Sequence, residues 1–192
     1  RSMLQSVGLF AAKLVFEQSP DPVESTARLL KMKKILPDAY YLEFYLGQNL
    51  VRLGRHDEAL LHLNRALTLN PEEEDIPYIY SFIGDCLKDL GKYKEAIAML
   101  EKGRTIDDER PDLHNLLGFC HFKLEKYETA VHHFTRAVEL FPSSAIDYAN
   151  LGVNYRKLGK NEEAIKNFEL ALEMDKSIDF ARTHLEELSA QA

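Results

Sequence analysis

Four glycines, Gly47, Gly84, Gly118 and Gly152, each follow a leucine or isoleucine and stand 37, 34 and 34 residues apart. Twelve residues after each comes an alanine (Ala59, Ala96, Ala130, Ala164), and four residues further a large apolar residue (Leu63, Leu100, Phe134, Phe168). Three residues on, a small residue returns (Ala66, Gly103, Ala137, Ala171). A unit of this length cannot bury its apolar face alone and has to stack on its neighbours. The 192 residues would allow one or two compact domains, but the period predicts a single elongated array.

Within each copy, apolar residues recur three and four apart on both sides of a break, which predicts two short amphipathic helices joined by a tight turn. Gly54, Gly91 and Gly159 mark three of these breaks, where a residue without Cβ takes the left-handed conformation cheaply. Glu125 stands at the fourth, so that turn is expected to be strained or differently closed. The small residues, such as Gly47 and Ala59, belong where the paired helices cross. Pro71 and Pro142 end two of the second helices. The frame divides the chain into copies at 40–76, 77–110, 111–144 and 145–178, a degenerate copy at 6–39 and a capping helix at 179–192. In the degenerate copy Lys13 replaces the close-packing glycine, so its helices are expected to splay, and Ser19-Pro20-Asp21-Pro22 is its turn. The cap is expected to bury Phe180, Leu185 and Leu188.

These residues resemble the tetratricopeptide repeat pattern. The best copy carries Tyr148, Leu151-Gly152, Tyr155, Ala164, Phe168 and Ala171, with Lys176 in place of the family's proline. Glu43 and His114 stand at the usual aromatic position, and Asp108 where proline is usual. The resemblance implies an all-α, right-handed superhelical solenoid of antiparallel helix pairs with a C-terminal capping helix.

Composition narrows the function. A formal charge of −7 argues against non-specific binding to nucleic acid or to an anionic membrane. No twenty-residue apolar run is present for membrane insertion. Cys86 and Cys120 are too few for a disulfide scaffold and read as small buried residues. Of the seven histidines, His132 and His133 are adjacent and point about 100° apart on a helix, unable to chelate one ion. His114 and His121 occupy packing positions, while His56, His62 and His184 read as surface or turn residues. The carboxylates Glu72 to Asp75 and Asp107 to Glu109 read as solvated loops. No catalytic constellation, metal-ligand spacing or cofactor motif is found, so no enzymatic activity and no cofactor are expected. Arg1-Ser2-Met3 reads as a cloning remnant ahead of a start or internal methionine. A cytoplasmic location is the expectation, with the amino terminus open to truncation.

In the family, the concave face is lined by the first helix of each pair. Carried over, this gives Tyr41, Phe44, Tyr45, Gln48, Val51 and Arg52 in the copy at Tyr40, and Tyr78, Ser81, Phe82, Asp85, Lys88 and Asp89 in the next. The third supplies Asp112, Asn115, Leu116, Phe119, Phe122 and Lys123, and the last Ile146, Ala149, Asn150, Val153, Arg156 and Lys157. Tyr41, Phe44, Tyr45, Tyr78, Phe119 and Phe122 are expected to form an aromatic surface that anchors a partner. The alternative is that the first helix covers them, using the stripe Leu4, Val7, Phe10, Ala11 and Leu14. Arg52, Lys88, Lys123, Arg156 and Lys157 form a line of cations, suited either to an acidic ligand or to the carboxyl ends of their own helices.

The expected function is a non-enzymatic protein–protein interaction scaffold that binds a peptide or amphipathic helix. The alternatives are a chaperone shielding a client segment, or a regulatory or targeting fragment of a larger enzyme. Self-association through the amino-terminal helix is a further option. Family members that clamp the carboxylate-ended tails of heat-shock chaperones use Lys, Asn and Arg where Phe44, Gln48, Phe82, Asp112 and Leu116 stand here, which disfavours that role. The aromatic groove is instead similar to those of secretion-chaperone and assembly-scaffold members.

Overall fold

The computed structural model describes residues 3–190, and side chains from Ser6. Arg1 and Ser2, and the side chain of Leu4, lie outside the described residues. The chain forms α1 (Met3–Gln18), α2 (Pro22–Lys33), α3 (Tyr40–Arg52), α4 (His56–Thr68), α5 (Ile76–Asp89) and α6 (Tyr93–Ile106). There follow α7 (Pro111–Lys123), α8 (Tyr127–Leu140), α9 (Ala145–Lys157), α10 (Asn161–Met174) and α11 (Asp179–Ser189). They gather into two compact units, one ending at Ile106 and one beginning at Asp107. The architecture is an all-α helical repeat, and no described helix is long and apolar enough to cross a membrane.

The four helix pairs from α3 to α10 close by the same turn, and the turn explains the glycines. Gly54, Gly91 and Gly159 sit at φ of 70°, 73° and 72°. The N–H of Arg55 donates to Leu50 at 2.8 Å and that of Gly54 to Val51 at 2.9 Å, the paired bonds that satisfy the last carbonyls of a helix. Glu125 makes the same two bonds at φ 59°: its own N–H donates to Phe122 at 2.9 Å and the N–H of Lys126 to His121 at 3.0 Å. The turn without glycine is therefore strained, not differently closed. A side chain in the left-handed region costs about 1–2 kcal/mol, and glycine's added entropy in the unfolded chain returns part of that. Glu125→Gly is thus expected to stabilise the protein by about 0.5–1 kcal/mol, read as a higher urea midpoint at unchanged slope.

The helix crossings are set by a small-to-large match. A Cβ placed on Gly47 would lie 2.6 Å from the Leu63 side chain, and one on Gly152 would lie 2.6 Å from the Phe168 ring. Gly84 faces Leu100 and Gly118 faces Phe134 in the same way. The gap left by each glycine is filled by the large residue sixteen positions later, while Ala59 contributes its backbone carbonyl at 3.6 Å from the Gly47 Cβ position.

In the first unit α1 departs from the repeat, as the lysine at its glycine position predicted. It lies against both α2 and α3, turning Gly8 and Ala12 inward and leaving Val7, Phe10 and Leu14 exposed. Asn49 donates to Ser25 at 2.9 Å in the buried interface of α2 with α3. In the second unit α11 caps α9 and α10 through Ala181 and Leu188, with His184 stacked on Phe168 at 5.4 Å. Phe180 is 40% exposed, a correction to the expected buried face: the stripe that packs runs through Ala181, Leu185 and Leu188, a spacing of four and three.

Candidate protein-binding faces

The first helix of each pair carries the predicted face, and that face is occupied differently within each of the two units. In the first unit the aromatic expectation is corrected. Tyr41 is 4% and Phe44 8% exposed, because α1 lies over α3. Phe16 stacks on Tyr45 at 5.0 Å between ring centroids, and the Arg52 guanidinium lies 5.9 Å from the Phe16 ring. Arg52 also donates to the Pro20 carbonyl at 3.2 Å, holding the turn after α1. Phe44 meets Phe82 edge-on at 5.8 Å. Burial, with the nearby Asp75 and Glu17 carboxylates, pushes the Tyr45 phenol up to about 12. The helix that covers these rings does so with Gly8, Ala12 and Phe16, flanked by Leu9 and Val15. The stripe of Val7, Phe10 and Leu14 expected to dock faces away instead, with Phe10 68% exposed.

Further along this unit, Tyr78 is 48% exposed whereas Ser81 is buried. Gln48 is half-buried. Lys88 is held by Asp85 at 2.6 Å and Asp89 at 3.1 Å. Burial alone would lower the Lys88 pKa, but these two carboxylates outweigh it and raise it.

In the second unit Phe119 and Phe122 remain half-exposed on α7, packed at their inner edges on a core of Ala130, Phe134 and Leu151. Lys123 reaches back over both rings, at 5.3 and 6.0 Å from their centroids. Asn115 donates to Asp147, tying α7 to α9. Burial raises the Asp147 pKa, against the hydrogen bonds from Ser144 and Asn115 that lower it. Asn150 and Val153 are half-buried beside this pair. Arg156 is engaged by Glu187 of α11 at 2.7 Å and by His184. The His184 pKa is lowered by burial first and then by the Arg156 charge.

Three of the row of cations are engaged within their own unit: Arg52 by a carbonyl, and Lys88 and Arg156 by carboxylates. Lys123 lies over two aromatic rings and stays exposed, and Lys157 is exposed as well. His62 and His184, read as surface residues, are half-buried, and His62 Nδ1–H donates to the buried Glu43 carboxylate at 2.6 Å. His114, His121 and His133 are buried together, with His114 and His133 Nδ1 atoms 3.2 Å apart. Among the described residues no group of three or more histidine, cysteine or acidic side chains could hold a metal ion. Cys86 and Cys120 are buried and form no disulfide. The burial of Tyr41 and Phe44 could have been read from Gly8, Ala12 and Phe16, spaced four apart, since close approach of two helices needs small residues.

Comparison with known proteins agrees with the repeat. Models of the tetratricopeptide repeat match residues 24–74, 50–120 and 109–177. A protein O-mannosyl-transferase of Caenorhabditis elegans is 30% identical over 76 residues, which are 40% of this chain and 11% of that protein's length. Among solved structures, YrrB, described as a tetratricopeptide repeat protein with an unusual peptide-binding site, superposes with a TM-score of 0.73 at 19% identity, covering 92% of this chain and 89% of that one. The first repeat domain of Spaghetti (RPAP3), bound to the HSP90 peptide SRMEEVD, gives a TM-score of 0.59 at 29% identity over 61% of this chain and 93% of that one.

Proposed function

Because the chain belongs to the tetratricopeptide repeat family, whose members are typically non-catalytic interaction modules, we propose that it is a non-enzymatic adaptor holding a partner's peptide or amphipathic helix on the first-helix faces. The observation that carries this is the pair Phe119 and Phe122, half-exposed and overlaid by the Lys123 ammonium. Aromatic rings seated on a firm core and edged by a cation suit an apolar anchor flanked by an acidic or carbonyl group. Two structurally similar proteins are described with peptide sites or peptides. The HSP90 tail itself is a poor candidate, because Phe44 and Phe82 occupy places where carboxylate-clamping residues would be needed.

Phe119→Ala with Phe122→Ala is expected to reduce capture of the natural partner at least ten-fold in a pull-down, with helicity retained and the melting temperature lowered but well above the assay temperature. Full capture by a folded double variant would remove the assignment. A second reading, a repeat segment serving a larger enzyme, is favoured by the match to a stretch of an O-mannosyl-transferase. It requires catalytic sequence in the same polypeptide or in a stably co-purified one. Self-association is the third: the exposed Val7, Phe10 and Leu14 of α1 supply an apolar stripe for a second copy. Light scattering should then rise with concentration, and Phe10→Ser should return the protein to the monomer mass.

A further inference from the structure

Apart from the first-helix faces, a surface in the first unit combines an open apolar hollow with unneutralised charge. It lies between α2 and α4, on the side of the second helices, with a volume of about 660 Å³. Its apolar floor is Ala27, Leu30 and Pro37. Lys31, Lys33, Lys34 and Arg65 surround that floor. Ala27, Leu30 and Lys31 recur at helical spacing along one face of α2, next to the face that buries Ser25 and Leu29, and Lys34 follows as the C-cap residue of that helix.

The four cations are not equivalent. Lys33 and Arg65 each lie 2.8 Å from the buried carboxylate of Glu43, and Arg65 lies 3.5 Å from Asp38. Lys31 and Lys34 are exposed and have no acidic partner among the described residues. Cations favour the end of a helix whatever lies outside it, but that does not explain Leu30, which is 44% exposed, nor the contribution of Arg65 from another helix. In a protein of net charge −7, two unpaired lysines at the edge of an apolar hollow single out one ligand chemistry. A bare anion would leave the floor wet, and a purely apolar segment would leave the lysines unanswered.

We propose that this hollow is a second docking site, separate from the first-helix faces, for an acidic peptide segment carrying one aliphatic anchor. The anchor lies on Ala27, Leu30 and Pro37, and its flanking carboxylates pair with Lys31 and Lys34. Lys33 and Arg65, held by Glu43, form the fixed back of the site.

The test is fluorescence anisotropy with a fluorescein-labelled peptide of glutamates around a single leucine, at low salt. Lys31→Glu with Lys34→Glu is expected to weaken binding at least about ten-fold, and raising the salt to weaken wild-type binding. Replacing the peptide's leucine by serine should weaken it several-fold, and Leu30→Asp should do the same from the protein side. Phe119→Ala with Phe122→Ala should leave this binding unchanged, so failure here is distinguishable from failure of the adaptor reading. Absence of binding overturns the proposal, as does equal affinity of the lysine double variant or of the serine peptide. So does preferential binding to phosphatidylcholine vesicles containing phosphatidylserine, which would assign the lysines to a lipid surface.

Discussion

Phe168→Ala is expected to cost about 3–5 kcal/mol in the unit that begins at Asp107, more than any other single change on its surface or in its turns. Phe168 is completely buried, fills the space left by Gly152 and carries His184 of the capping helix on its ring face. Its removal opens a cavity between α9 and α10 and takes away the platform of α11 together. Hydrogen-exchange protection of Ala181 and Leu188 should therefore fall further than that of α7. The coupling to Gly152 has a sign that can be checked. In the wild type, Gly152→Ala brings a Cβ to 2.6 Å from the ring and should cost about 1–3 kcal/mol. In the Phe168→Ala background the same change meets empty space and gains helix propensity, so it should stabilise by up to about 1 kcal/mol. A double-mutant cycle by urea denaturation measures both, and equal effects in the two backgrounds would contradict the small-to-large match.

Glu43→Ala is the second large effect, expected at about 3 kcal/mol in the unit that ends at Ile106. The Glu43 side chain is wholly buried, yet it joins its own α3 to two other helices, through Lys33 at the end of α2 and through His62 and Arg65 of α4. Removing it leaves cations that are partly exposed and can rehydrate, which places the cost at the lower end of the range for a broken buried pair. Burial by itself would raise the Glu43 pKa, but the His62 and Lys33 contacts outweigh it and the pKa is lowered from 4.5. A depressed carboxylate contributes stability that is fully present above its unfolded pKa and is lost as pH falls through the folded one. The gap between wild type and Glu43→Gln should therefore shrink as pH falls below 4.5 and close at lower pH. A gap that widened on acidification would contradict the assignment of charge.

The helical repeat and the glycines in its turns were legible, because glycine spacing and apolar periodicity report local geometry that each copy satisfies with its own residues. Glu125 was legible as a defect and not as a resolution: only the backbone shows that its turn accepts strain to keep both capping bonds. The faces were less legible. Tyr41, Phe44 and Tyr45 look alike with Phe119 and Phe122 in the repeat, yet α1 covers the first group. The large apolar stripe of α1 suggested one docking face, while the small residues Gly8 and Ala12 determined another. The cations failed similarly, since the partners of Arg52 and Arg156 come from α1's turn and from α11, outside their own copies.

What the chain's sequence determined alone is its repeat, its helix pairs and the glycine that closes most of them, for these rest on contacts within some forty residues. Tertiary structure decided which equivalent positions stay open. Burial depends on what arrives from another element, and α1, α2 and α11 are the elements that obey the repeat least. Glu43, a departure from the family's aromatic, became a buried junction of charges because α2 and α4 each brought a cation to it. Lys31 and Lys34 became a distinct feature only when Leu30, Pro37 and Arg65 came together beside them. No periodicity in the sequence records either meeting.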